Sequence, residues 1–236
     1  MSETRAVLFD ADDTLWHSAG WSNENVWHTM LGEFGFELEL EAVEEALKSA
    51  TTTLQSEWNA IQTRGTPATA EEVGAYFRRL DKHVLDTLGL VHDEEAMIDR
   101  VEVWFGAFVR PVELFPDTTG VLGEIRRLGF RVGIVSNNFY QSGTARRVGI
   151  ATYFDTIVDT GSTGYRKPMP EIYRLALDAL QVEPSETVMV GDNYEDDVAG
   201  AEAAGIRGIH LVRDGAGSPA GRVIPNLWGL LNYLDD

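Results

Sequence analysis

Residues 7–15 read Val-Leu-Phe-Asp-Ala-Asp-Asp-Thr-Leu, an apolar run that ends at two carboxylates two positions apart, Asp10 and Asp12, with Thr14 following. An apolar run of strand length with a β-branched start is the pattern of a strand buried on both faces, as the central strands of parallel sheets are. Asp10 to Thr14 would leave such a strand together at its carboxyl end, where open α/β sheets bind ligands. The same residues also fit a turn that ends a strand by Asx hydrogen bonding. A calcium loop fails on detail: an EF-hand needs glycine at its sixth position and glutamate at its twelfth, and this chain has Leu15 and Trp21 there. The rest of the chain has to separate turn from active site.

From about Asn23 to Arg110 the apolar period is helical. Val26, Met30, Leu31 and Phe34 follow it, then Val43, Ala46, Leu47, Ala50 and Leu54. Val73, Phe77, Leu80, Val84, Leu85 and Leu88 make a third stretch, and Met97, Val101, Trp104, Phe105 and Phe108 a fourth. Breaks near Gly35, at Gly65-Thr-Pro67 and at Gly89 divide the region into about four helices. From Phe115 the pattern becomes strand, loop and helix in alternation. Short β-branched runs at 130–135, 156–158, 187–190 and 208–212 are separated by helical patterns at about 119–128, 140–148, 169–181 and 195–204. Such alternation predicts right-handed βαβ units: a Rossmann-like parallel sheet between two layers of helices, to which the first strand also belongs. The expected organisation is an α/β core of residues 1–15 and 113–236, with an all-α helical-bundle cap, 16–112, inserted over the strand ends.

Composition narrows the chemistry. The 236 residues suit one large domain or one with an insert, and with no cysteine there is no disulfide, thiolate metal site or thiol nucleophile. A formal charge of −19, from 38 acidic and 19 basic residues, repels nucleic acid and anionic membranes. Most of that charge reads as a solvated face, and an anionic substrate would need a local positive site. No signal-peptide pattern or span-length apolar stretch is present, so the expectation is a soluble, cytoplasmic protein.

Three further polar clusters follow strands: Ser136-Asn137-Asn138, Arg166-Lys167-Pro168, and Gly191-Asp192 through Asp197. Each has an ordinary explanation, in helix capping, a surface lysine or first-turn acids. Together those explanations would need four coincidences at one end of one sheet. The four clusters, in this order, resemble the motifs of the haloacid dehalogenase superfamily of hydrolases, of the phosphatase kind, and the helical insert resembles that family's cap after the first motif.

The resemblance implies that Asp10 is a nucleophile forming an aspartyl-phosphate, and that Asp12 is the general acid and then base. Thr14 would hold the motif loop. Asp10, Asp192 and the backbone carbonyl of Asp12 would bind Mg²⁺, whose charge lets clustered carboxylates accept a phosphate. Asp197 would support the site without binding the ion. Ser136 would donate to a phosphoryl oxygen, with Asn137 beside it, and Lys167 would offset charge between Asp10 and the phosphate. Trp16 and His17, with Trp21, are near enough in sequence to the nucleophile to touch a leaving group, although tryptophans beside a bundle also serve packing. Trp27, Trp58 and Trp104 read as cap core. Asp13, Asp196 and Tyr194 receive no role.

Family members that cleave carbon–halogen bonds need no proton donor and lack aspartate two residues after the nucleophile; this chain has Asp12 there. The expectation is therefore an Mg²⁺-dependent phosphatase acting on a small phosphorylated metabolite. A phosphomutase on the same residues is the alternative, with a dehalogenase or a non-catalytic phosphate-ester-binding protein behind it.

Overall fold

The computed structural model describes residues 3–18, 22–63, 66, 68–90, 94–107, 111–138, 141–215 and 217–234. Trp21, Gly65, Pro67, Phe108, Arg110 and Tyr140, all used in the sequence pattern above, lie outside them. In chain order the elements are β1 (Ala6–Phe9), β2 (Trp16–His17), α1 (Asn23–Glu33), α2 (Leu40–Thr63), α3 (Ala70–Thr87) and α4 (Glu94–Ala107). Next come β3 (Glu113–Leu114), α5 (Thr118–Arg127), β4 (Arg131–Ser136), α6 (Gln141–Arg147), β5 (Thr156–Asp159), α7 (Thr160–Thr163) and α8 (Pro170–Leu180). The chain closes with β6 (Thr187–Gly191), a π-helical segment (Tyr194–Ala199), α9 (Gly200–Ala203), β7 (Arg207–Leu211) and β8 (Val223–Ile224). It divides into two compact units, residues 1–17 with 112–236, and residues 18–111.

In the first unit, the described residues form a six-stranded sheet in the order β5-β4-β1-β6-β7-β8, with parallel pairing throughout. β1 is central, and its four residues are buried. Val7 and Phe9 enter one apolar cluster with Val121, Leu122 and Ile125 of α5, while Ala6 and Leu8 enter another with Ile172, Ala176 and Leu180 of α8. A strand covered on both faces has no position to give to water, which is why its sequence is unbroken by polar residues. Register then fixes the site. Phe9 pairs with Ile134 and with Val190, Ser136 pairs with Asp159, and the next residue, Asp10, donates its backbone N–H to Val190 O at 2.8 Å. The polar residues after β1, β4, β5 and β6 leave one edge together.

Two details differ from the sequence pattern. The helix expected at about 195–204 begins as a π-helical segment, capped by the Asn193 side chain, which accepts from the N–H groups of both Glu195 and Asp196. Between β5 and Lys167 the chain makes the extra turn α7, held by the Asp159 carboxylate on the Ser162 N–H.

The second unit consists of α1–α4 around its own core of Trp27, Met30, Leu31, Val43, Leu80, Val84 and Val101. Helix α3 starts with a reciprocal cap, Glu72 N–H to Thr69 Oγ1 and Thr69 N–H to Glu72 Oε2, which satisfies N–H groups no helical carbonyl can reach. Trp58 and Trp104 pack at the margin of this core; Phe77 and Phe105, at core positions of the sequence pattern, are 40% and 37% exposed. A helical period fixes which side a residue faces and not how far the neighbouring helix covers it.

Candidate active site

Lys167 is the centre of the site. Its Nζ lies 2.6 Å from Asp10 Oδ1 and 2.6 Å from Asp197 Oδ1, and its side chain is 2% exposed. The peptide bond Lys167–Pro168 is cis. Burial pushes the Asp10 carboxyl up to about 7, with the Lys167 ammonium opposing and Asp197 adding to the rise. Burial acts on Lys167 in the opposite sense, but the two carboxylates outweigh it and hold the ammonium charged beyond the usual lysine range. The second oxygen of Asp197 accepts from the Asn193 N–H at 3.0 Å. Gly191 makes room for this: a Cβ there would sit 2.1 Å from Asp197 Oδ2.

Asp192 stands next to this pair. One oxygen from each of Asp10, Asp192 and Asp197 lies within 4.8 Å of the others, so this acidic cluster, with Asp10 and Asp197 buried and Asp192 exposed, can hold a metal ion. Burial, then Asp10 and Asp13, push Asp192 up to about 6. Thr14 is wholly buried and its hydroxyl donates to Asp192 Oδ1 at 3.3 Å, tying the loop after β1 to the loop after β6. His210 Nε2 meets the Asp192 carbonyl at 2.9 Å, and Arg213 donates to the Thr14 carbonyl at 2.8 Å while pairing with Asp117. Asp13 takes up the turn itself: its φ is 58°, and its N–H bonds Trp16 O. Aspartate tolerates that left-handed geometry better than most residues.

Three donors converge on Asp12. Trp16 Nε1 reaches Oδ1 at 3.2 Å, and Asn138 Nδ2 and Gln141 Nε2 reach Oδ2 at 2.8 and 2.9 Å. Trp16 is 0% exposed and packed in the core, so its place is behind Asp12 and not against a leaving group; this corrects the expectation drawn from its position in sequence. His17 pairs with Glu113 on the short ribbon β2–β3, its ring 5.0 Å from that of Phe115.

Ser136 is buried, and its Oγ accepts from the Asn138 N–H at 3.2 Å, which leaves the hydroxyl hydrogen for another acceptor. Asn137 differs from its expected place beside a substrate. Its Oδ1 accepts from the Lys167 N–H at 2.6 Å, and its Nδ2 donates to Lys167 O and to Asp196 Oδ2, so the side chain clamps the lysine's backbone. Asp196, without a role in the sequence, receives that bond. The Tyr194 ring lies 5.9 Å from that of His210. Asn138 stands in the sequence only as a member of its polar cluster, and Gln141, Asp159, His210 and Arg213 are not marked at all, because their partners stand far along the chain and no local spacing singles them out.

The model of the haloacid dehalogenase-like hydrolases matches residues 4–205. The chain belongs to this family. Phosphoserine phosphatase of Thermus thermophilus is 32% identical over 162 residues, 68% of this chain and 64% of its own length. Glyceraldehyde 3-phosphate phosphatase of Methanothermobacter thermautotrophicus is 29% identical over 222 residues, covering 87% of this chain and 84% of its own. Among solved structures, a 2-haloacid dehalogenase from Pseudomonas syringae pv. Tomato aligns over 98% of both chains with a TM-score of 0.72 and 27% identity. By its family the chain is a hydrolase, and these two sequence relatives are phosphatases by name.

Proposed function

We propose that this chain hydrolyses a small, soluble phosphate monoester in two displacements on Asp10. The observation that carries the reading is the Asp10–Lys167–Asp197 arrangement, in which one carboxylate oxygen of Asp10 is held by an ammonium and the other is left to attack. That oxygen bonds to phosphorus as the ester P–O bond breaks, and Asp12 gives its proton to the leaving oxygen. Asp12 then takes a proton from water as the water's oxygen attacks phosphorus, breaking the P–Oδ bond and restoring Asp10. Lys167 and the Ser136 hydroxyl balance the charge gathered on the phosphoryl oxygens.

The acidic cluster fits Mg²⁺. Three carboxylates against one lysine leave excess negative charge, and carboxylate and carbonyl oxygens are the donors this ion prefers. Asp10, Asp192 and the Asp12 carbonyl would hold it, while Asp197, engaged by Lys167 and Asn193, supports them. When bound, the ion would neutralise the carboxylates and the substrate phosphate. We assign residues 16–112 as the cap domain and residues 1–15 with 113–236 as the catalytic core. The relatives are named for phosphoserine and glyceraldehyde 3-phosphate, which supports a small phosphorylated metabolite as the substrate.

The dehalogenase among the structural relatives favours a second reading, halide displacement. Asp12 argues against that, since a halide leaves without a proton and needs no such group two residues after the nucleophile. The test is a panel of sugar phosphates, nucleotides, phosphoglycolate, phosphoserine and 2-chloropropionate, with and without Mg²⁺, using Asp10→Asn as the blank. Mg²⁺-dependent phosphate release that Asp10→Asn abolishes is expected. Chloride release without phosphate release would favour the dehalogenase, and isomerisation without phosphate release a mutase.

A further inference from the structure

Gln141 is the first residue of α6, and only 3% of it is exposed. Its backbone N–H is capped by Asp159 Oδ2 at 3.0 Å, which fixes where the side chain begins. The amide nitrogen donates to Asp12 Oδ2 at 2.9 Å, while the amide oxygen is buried without a hydrogen-bond partner. Turning the amide round would give the stranded oxygen no better place, because it would then face the Asp12 carboxylate, oxygen against oxygen. A buried carbonyl with nothing to accept is a cost to folding that an apolar side chain of the same length would not carry. Amides at such sites are kept for what their other end does.

We propose that Gln141 is a positioning residue for proton transfer, holding Asp12 against the leaving oxygen at the expense of its own unpaired carbonyl. The inference rests on the phosphatase reading above, in which Asp12 is the proton donor. Asn138 and Trp16 share the grip, but Asn138 follows the loop after β4 and Trp16 sits four residues beyond Asp12 itself. Gln141 ties Asp12 to a helix whose start is anchored to β5.

The experiment compares wild type with Gln141→Met, which keeps length and loses both polar atoms, on p-nitrophenyl phosphate and phenyl phosphate in Mg²⁺, alongside thermal unfolding. The esters are alike in shape, and phenolate needs the donated proton far more than p-nitrophenolate does. The expected result is a fall in kcat/KM of about tenfold or more on phenyl phosphate. The fall on p-nitrophenyl phosphate is distinctly smaller, with Tm unchanged or raised. Equal losses on both esters, unchanged activity, or a markedly lower Tm would each overturn the proposal while leaving the phosphatase reading in place. A wild type inactive on both esters and on the wider panel would overturn that reading and this proposal with it.

Discussion

A single ammonium between two buried carboxylates makes Lys167 the residue on which stability depends and, in the function proposed above, the chemistry too. Removing one member of a buried ion pair leaves the remaining charges unmatched, which typically costs about 3–5 kcal/mol. Lys167→Met should therefore lose about that much in urea unfolding, and adding Asp197→Asn should recover part of it without restoring turnover. Equal stability of Lys167→Met and wild type would mean that Asp10 and Asp197 are already neutral. Trp16→Phe is expected to fold, since the ring stays in the core, and to lower kcat by loosening Asp12; unchanged kcat would remove Trp16 from the site. These two residues mark what was legible at this scale. Asp10, Thr14, Lys167 and Asp192 announce themselves because strand ends carry them in short motifs. A tryptophan two positions after Thr14 reads the same whether its ring faces cleft or core. Gln141 and His210 have no signal at all, as each is defined by a partner more than a dozen residues away.

At the scale of elements, β6 has to end in glycine. With a Cβ on residue 191 the Asp197 carboxylate would have to move, and Lys167 with it. Gly191→Ala is expected to abolish turnover and destabilise the chain by a few kcal/mol, as overpacking of a tight core does; near-normal activity would mean that the loop after β6 yields more easily than this packing implies. Helix α3 carries a different signal in Asp81. Burial, with Glu102 adding and Arg78 opposing, pushes its carboxyl up to about 7. A group whose pKa is raised on folding contributes stability that is complete below about pH 4 and is lost as pH rises to about 7. Over that window Asp81→Asn should flatten the fall in unfolding free energy by up to about 1.4 kcal/mol per pH unit, and parallel profiles would show that Asp81 ionises freely. The strand and helix order was readable because unbroken β-branched runs and a period of 3.6 are both set locally. The π-helical segment and α7 were not, since no apolar period marks elements this short.

The molecule as a whole carries a charge of −19, and among its described residues no helix is long and apolar enough to cross a membrane. Charge of one sign opposes compaction, and salt screens it. Tm should rise between roughly 10 and 500 mM NaCl; a fall would mean that the local ion pairs outweigh the general repulsion. The same field opposes an anionic substrate, and in the function proposed above Lys167 and a bound cation would offset it while an oxygen of Asp10 forms the first new bond. Acid-quenching the enzyme during turnover of p-nitrophenyl phosphate with Mg²⁺, then mapping peptides by mass spectrometry, tests this directly. The account predicts one phosphoryl group on the peptide containing Asp10, absent from Asp10→Asn. Turnover with that peptide unmodified, or a phosphoryl group on any other residue, would contradict it.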